Sequence, residues 1–249
     1  YKLKKKISIM SYLINKKNQK IAYNSKKGRS PGLVFIHGLN SDKEGIKAKN
    51  IEKYAKKNNL SFVRFDCRGH GSSFGKFNEF TLTDWKQDLI DVIDNLTKGP
   101  QILIGSSMGG WLMILAAKSR PKRIFGLIGL AAAIDFGKDL FNDLNRKNQN
   151  EIKLKGATKY NSNGFSYTLT KKFFIEAKKN NILNKSFNYS KPMILVHGIK
   201  DKVVNSDMPK KIMKLVKGNN VQIVYLKSSD HRLSKTNDLK VINNTIDNI

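Results

Sequence analysis

An α/β fold, with a mostly parallel central sheet covered by helices on both faces, is predicted by three observations. Short apolar runs alternate with stretches of helical periodicity along most of the chain. A length of 249 residues suits one such domain and is ample for a substantial core. Between an apolar run at 102–104 and another at 112–117 lies Gly105-Ser106-Ser107-Met108-Gly109-Gly110-Trp111, which reads as strand, sharp turn, helix.

The elements follow in order. Residues 21–23 are read as an early edge strand, and Ser30, Pro31 and Gly32 punctuate the chain before the apolar run 33–36. A helix is expected over about 43–57 and a strand over 60–65. Thr83 opens a helix in which Trp85, Leu89, Val92, Ile93 and Leu96 recur at helical spacing, so its aromatic residue belongs to the core. Gly99 and Pro100 end it, and 101–105 is the strand before the turn. The following helix closes at Arg120 and Pro121, and strands are expected at 124–131, 193–197 and 221–225, with Asp207 starting a helix between the last two.

Over about 134–191 the alternation fails, and a polar segment with scattered aromatics, among them Phe136, Phe173 and Phe174, takes its place. In open α/β sheets ligands bind at the carboxyl edge, so an insertion there would act as a small cap over the turn. A surface excursion whose aromatics close a satellite cluster is the equally weighted alternative. The organisation expected is a basic N-terminal segment, 1–19, partly disordered, and one domain over 20–249 carrying the cap. No apolar stretch approaches the roughly 20 residues needed to cross a bilayer, so a soluble chain is expected. A lone cysteine, Cys67, excludes an intrachain disulfide and fits a reducing compartment.

The formal net charge of +28 invites a polyanion partner. Seven arginines against forty lysines is a poor match to a surface built for phosphate, which favours the forked guanidinium. The lysines occur in pairs spread along the chain, as at Lys16-Lys17 and Lys178-Lys179, with no dense stripe interleaved with aromatics. They read as solvated faces, and no nucleic-acid partner is expected. A positive field would still raise the encounter rate with anionic substrates at low salt.

The turn makes Ser107 a candidate nucleophile. A serine hydroxyl is weakly nucleophilic at neutral pH, so a base must take its proton and backbone N–H groups must receive the charge developing on the substrate. A tight strand-to-helix turn does both, and needs small residues two positions either side of the serine; here both are glycine. A glycine-rich turn that only packs is the alternative. Four histidines are available as base. His37, before Gly38, reads as part of an oxyanion loop, His70 as loop scaffold and His197 as a satisfied core histidine. His231, in the loop after the last strand, lies where the base falls when the order is Ser, acid, His.

Asp201, just past the penultimate strand, is the best candidate for the acid that orients the imidazole; Asp135 is its main competitor. Asp230 adjoins His231, and neighbouring side chains in an extended loop point apart. The oxyanion hole would be formed by the backbone N–H groups of Met108 and Leu39.

Together the segments His37-Gly38, Phe65-Asp66-Cys67-Arg68-Gly69-His70-Gly71-Ser72-Ser73, Gly99-Pro100-Gln101-Ile102-Leu103-Ile104-Gly105-Ser106-Ser107-Met108-Gly109-Gly110-Trp111, His197-Gly198-Ile199-Lys200-Asp201 and Ser229-Asp230-His231-Arg232-Leu233 resemble the α/β-hydrolase superfamily. More narrowly, the chain resembles the branch of palmitoyl-protein thioesterases and acyl-glucuronide esterases with their bacterial relatives, from about Ile21 onward. The resemblance implies an α/β-hydrolase fold, Ser107 as nucleophile, Asp201 as acid and His231 as base. It also implies hydrolysis of acyl thioesters or esters, an acylated protein among the substrates, without metal or organic cofactor. The lysine richness and the lack of an obvious transit peptide point to a bacterial-type cytoplasmic member. A general carboxylesterase, a C–C bond hydrolase or peptidase on the same residues, and a non-catalytic binding protein remain as alternatives.

Overall fold

The computed structural model describes residues 11–162 and 165–249. Chain order runs β1 (Ser11–Ile14), β2 (Lys20–Lys26), β3 (Arg29–Ile36), α1 (Ile46–Lys57), β4 (Leu60–Phe65) and α2 (Leu82–Leu96). There follow β5 (Gln101–Ser106), α3 (Met108–Ser119), β6 (Ile124–Leu130), α4 (Gly137–Asp143), α5 (Arg146–Lys155), β7 (Ala157–Ser162), β8 (Phe165–Thr170) and α6 (Lys171–Lys179). The chain closes with β9 (Met193–Gly198), α7 (Met208–Leu215), β10 (Val221–Leu226) and α8 (Thr236–Asp247).

Eight strands form one sheet in the order β1-β2-β4-β3-β5-β6-β9-β10. From β4 through β10 all neighbours are parallel, and β1 and β2 extend one edge antiparallel. Strand side chains alternate between the two faces: Val34, Ile36 and Leu103 enter the cluster with Trp85, Leu89, Trp111 and Ile212, while Leu33, Phe35, Ile102 and Ile104 meet Ala48, Ile51, Ala55 and Ile242. Helices α2, α3 and α7 therefore cover one face, and α1 and α8 the other.

The edge differs from the expectation. The segment set apart at 1–19 contributes β1, whose residues Ser11 to Ile14 pair with Tyr23 to Lys20, so the domain begins inside that segment. A four-residue strand with exposed Tyr12 and Ile14 carries too little alternation to be read from pattern alone. Residues 1–10 lie outside the described residues, as does the part of the N-terminal expectation that falls on them.

The insertion between β6 and β9 holds α4, α5, the hairpin β7–β8 and α6. Its aromatics do not form a satellite cluster. Phe136 meets Trp111 at 5.4 Å, Phe173 meets Trp85 at 6.2 Å and Tyr167 meets Phe77 at 5.3 Å between ring centroids, so the insertion joins the core on the α2–α3 face. Polar ties accompany them: Trp111 Nε1–H donates to the Asn180 carbonyl at 3.1 Å, and Thr83 Oγ1–H to Glu176 at 2.7 Å. At the insertion's return, the Asp135 carboxylate accepts from the Ile182 and Leu183 N–H groups at 2.8–2.9 Å.

The loop from β3 to α1 is pinned to β4 by charge. Buried Asp66 accepts from the Lys43 N–H at 2.6 Å, and Arg64 donates to Glu44 at 2.6 Å and to the Lys43 carbonyl at 2.7 Å. Partial burial alone would raise the Glu44 carboxyl, but hydrogen bonds from Arg64 and Lys43 bring it down to about 2. A carboxylate held below its unfolded value lends stability at higher pH that is lost as pH falls through its folded value. Glu44→Gln is therefore expected to flatten the acid limb of the stability–pH curve between about 4.5 and about 2, as read by urea unfolding at a series of pH values.

Candidate active site

The turn between β5 and α3 places Ser107 at φ 53° and ψ −119°, a positive-φ conformation outside the regions that L-residues ordinarily occupy. The closeness of the two elements explains the flanking glycines. A Cβ at Gly105 would collide with the backbone of Gly109, and one at Gly109 with the Ile36 carbonyl. Each side of the turn is then tied down: Ser107 N–H donates to the Leu130 carbonyl at 2.9 Å, and its carbonyl accepts from Gly110 at 2.8 Å and Ala133 at 3.0 Å. Ser107 keeps partial exposure in a stretch that is otherwise buried.

Two loops from the same sheet edge converge on it. His231, in the loop between β10 and α8, brings Nε2 to 3.1 Å from Ser107 Oγ, and its Nδ1 lies 2.8 Å from Asp201 Oδ2. With Nδ1–H donating to the carboxylate, Nε2 is left as the acceptor for the serine proton. Asp201, after β9, has a fully buried side chain, yet its carboxyl is held below its ordinary range. Burial opposes ionisation there, and is outweighed by hydrogen bonds from His231, Val204 and Val203. The Asp201 carboxylate is thus held in its charged form against the imidazole, a contact that orients the ring and favours its protonated form.

The remaining candidates fall elsewhere. Asp135 is occupied at the foot of the insertion. The Asp230 carboxylate accepts from the Arg232 N–H at 3.0 Å within its own loop, and Asp207 stands just before α7 with its carboxylate paired to Lys210 at 3.0 Å. Buried His70 contacts the rings of His37, Phe77 and Trp85, and burial pushes it down to about 3, so it is neutral scaffold. His197 lies in the core as expected but is only half satisfied: Nε2–H donates to the Val204 carbonyl at 3.1 Å, while Nδ1 has no hydrogen-bond partner among the described residues.

Gly38 is packed against Ser107, a Cβ there lying 3.2 Å from Ser107 Cβ, so the strand-end backbone carrying Leu39 passes beside the serine. Met108 is the first residue of α3, where N–H groups have no intrahelical acceptor. The Asp66–Lys43–Arg64 anchor of that loop escaped the sequence reading; the charged Arg64 and Asp66 alternating with apolar residues in a strand-like run were its only signal. No group of His, Cys, Asp and Glu able to hold a metal occurs among the described residues.

A strand–turn–helix serine with an ordered His and Asp at the carboxyl edge of such a sheet defines an α/β hydrolase. Comparison with known proteins agrees: the family model for serine aminopeptidase, S33 matches residues 30–154. The chain belongs to the α/β-hydrolase family of hydrolytic enzymes. Among its relatives, it is 37% identical over 244 residues to the mitochondrial palmitoyl-protein thioesterase ABHD10 of Homo sapiens, across 96% of this chain and 79% of that protein. The solved structure of alpha/beta hydrolase domain-containing protein 10 from mouse superposes with a TM-score of 0.89 at 34% identity, covering 96% and 97% of the two chains. Est1E from Butyrivibrio proteoclasticus, solved with ferulic acid bound, shares the fold at 21% identity with a TM-score of 0.81, each chain covered to 96%.

The packing at the turn yields a stability test. Gly109→Ala is expected to cost about 1–3 kcal/mol, the usual penalty for forcing an extra methyl into a packed site. The measurement is the urea midpoint at constant slope.

Proposed function

We propose that this chain is a serine hydrolase cleaving acyl thioesters or carboxylic esters through an acyl-Ser107 intermediate. The relay from Ser107 through His231 to Asp201, at 3.1 and 2.8 Å, is the observation that carries the reading. Ser107 Oγ attacks the substrate carbonyl carbon while its proton passes to His231 Nε2. The carbonyl oxygen takes up the electron pair as an oxyanion, received by the Leu39 and Met108 N–H groups. Collapse breaks the bond to the thiol or alcohol, which leaves with the proton from His231. Water then enters along the same path: His231 takes its proton, the hydroxyl bonds to the acyl carbon, and Ser107 leaves with the proton returned.

The choice of thioesters rests on similarity across almost the whole chain to ABHD10 proteins, which are described as palmitoyl-protein thioesterases. The insertion over 134–191 serves as the cap in this reading, its aromatic layer offering apolar cover beside the turn. No helix among the described residues is long and apolar enough to cross a membrane. For the compartment, the lysine-rich composition favours a bacterial-type cytoplasm, whereas the named relatives are mitochondrial.

Two variants test the mechanism on p-nitrophenyl and acyl thioester substrates from short to palmitoyl length. Ser107→Ala is expected to lose kcat by on the order of 10⁴-fold or more and to escape labelling by a fluorophosphonate probe. Asp201→Asn is expected to lose roughly 10⁴-fold in kcat, because the imidazole is no longer held in the productive tautomer. Wild-type hydrolysis by Ser107→Ala would overturn the nucleophile; preference for short esters over long thioesters would make the chain a general carboxylesterase.

A further inference from the structure

The role left to His37 by its position is set by two hydrogen bonds that admit one protonation state. Its Nε2 lies 2.9 Å from the Cys67 backbone N–H, which can only donate, so Nε2 is the acceptor and carries no proton. The proton is then on Nδ1, which lies 2.7 Å from the Gly38 carbonyl oxygen and donates to it. The ring is 1% exposed and thus cannot exchange either partner for bulk water.

The Gly38 carbonyl and the Leu39 N–H are two ends of one peptide unit. That unit is planar and trans, so its C=O and N–H point in opposite directions and turn together. A donor that fixes the carbonyl therefore fixes the direction of the N–H. The Ser41 N–H reaches the same oxygen at 3.3 Å, a longer contact from within the loop itself. Leu39 N–H has no acceptor of its own among the described residues, so its direction follows from what holds the Gly38 carbonyl, of which the His37 contact is the shorter. Gly38 lies against Ser107, a Cβ there falling 3.8 Å from the nucleophile's Oγ.

We propose that His37 is a positioning residue for the reaction: by holding the Gly38 carbonyl through Nδ1–H, it aims the Leu39 N–H at the developing oxyanion. The inference rests on the reading of Ser107 as nucleophile and Leu39 as oxyanion donor. Through Nε2 it also couples that loop to the Cys67 backbone, so the loops after β3 and after β4 share one imidazole. Burial pushes the His37 ring down from its ordinary value, against Asp66 and Asp42 and the Gly38 hydrogen bond, in keeping with a neutral ring beside His70. Protonation would turn Nε2 into a donor facing the Cys67 N–H and release the lever.

The two nitrogens can be tested separately. In His37→Asn a side-chain amide N–H occupies the δ position and can still donate to Gly38, while the Cys67 partner is lost. In His37→Gln the amide oxygen reaches the ε position and can accept from Cys67, while the Gly38 donor is lost. With p-nitrophenyl butyrate, His37→Gln is expected to lose about 10- to 100-fold in kcat, somewhat less than deletion of an oxyanion donor, with KM and the position of the pH–rate profile unchanged. His37→Asn is expected to recover most of that loss even where its melting temperature is lower. A folded His37→Gln with wild-type kcat, or a folded His37→Asn as impaired as His37→Gln, overturns the positioning role. Ser107→Ala is assayed alongside: inactivity there, beside a fully active His37→Gln, rejects the role of His37 alone, whereas activity there rejects the nucleophile and this inference with it.

Discussion

Everything at the candidate site depends on one backbone constraint, the positive-φ conformation forced on Ser107 between β5 and α3. A non-glycine residue there costs of order 1–3 kcal/mol and persists only where its surroundings over-determine it. They do so here by contact and by hydrogen bonding at once. Gly105 and Gly109 let strand and helix meet backbone to backbone, Gly38 lets the neighbouring strand end close in, and both polar groups of the Ser107 peptide are engaged by β6 and the loop after it. The turn thereby presents the hydroxyl at the sheet edge and frees the first N–H of α3. The same parallel topology that brings β3, β5, β9 and β10 to one edge brings their loops within reach of it.

The electrostatics are arranged to keep charges where the chemistry uses them. Asp201 is buried, and burial by itself would neutralise it, but three donors hold it ionised. His197 belongs to that arrangement indirectly: its Nε2–H holds the Val204 carbonyl, and the Val204 N–H holds Asp201 Oδ1. Burial pushes the His197 imidazole down, so the ring beside the acid is neutral and does not compete with His231 for the carboxylate charge. His197 and Asp201 thus form one hydrogen-bonded unit at the end of β9, in which Asp201 alone is hydrogen-bonded to His231.

Much of this was legible in the sequence because it is written in local signals. The Gly105 to Gly109 spacing, the order Ser107, Asp201, His231 and the apolar runs of the buried strands are short-range patterns tied to steric and topological rules. The parts that were not legible depend on partners distant in sequence. Asp135 and Asp201 both follow parallel strands, and the sequence ranks Asp201 first without removing its competitor; the path of the insertion, which brings the Ile182 and Leu183 N–H groups to Asp135, separates them. The aromatics of 134–191 were readable as apolar, but whether they formed a satellite or joined the core depended on Trp85 and Trp111 lying under them. The strand β1 escaped because an edge strand buries little and so carries little pattern.

The net charge of +28 has a structural counterpart that composition does not reveal. Several of the few acidic side chains are turned inward: Asp66, Asp88 and Asp238 are buried, Asp201 serves His231, and Asp135 holds the insertion's return. Glu44 and Glu52 are bound to Arg64 at the β3–α1 side. Carboxylates so engaged compensate local donors and contribute less to the outer field, which leaves the lysines to dominate it. At physiological salt that field is screened over about 8 Å, so it acts on the approach of anionic molecules to nearby surface and not on the buried Asp201 side chain. The separation is physically useful: the surface can be strongly basic without disturbing the ionisation of Asp201, because the protein's own N–H groups, and not the lysines, set the potential at the acid.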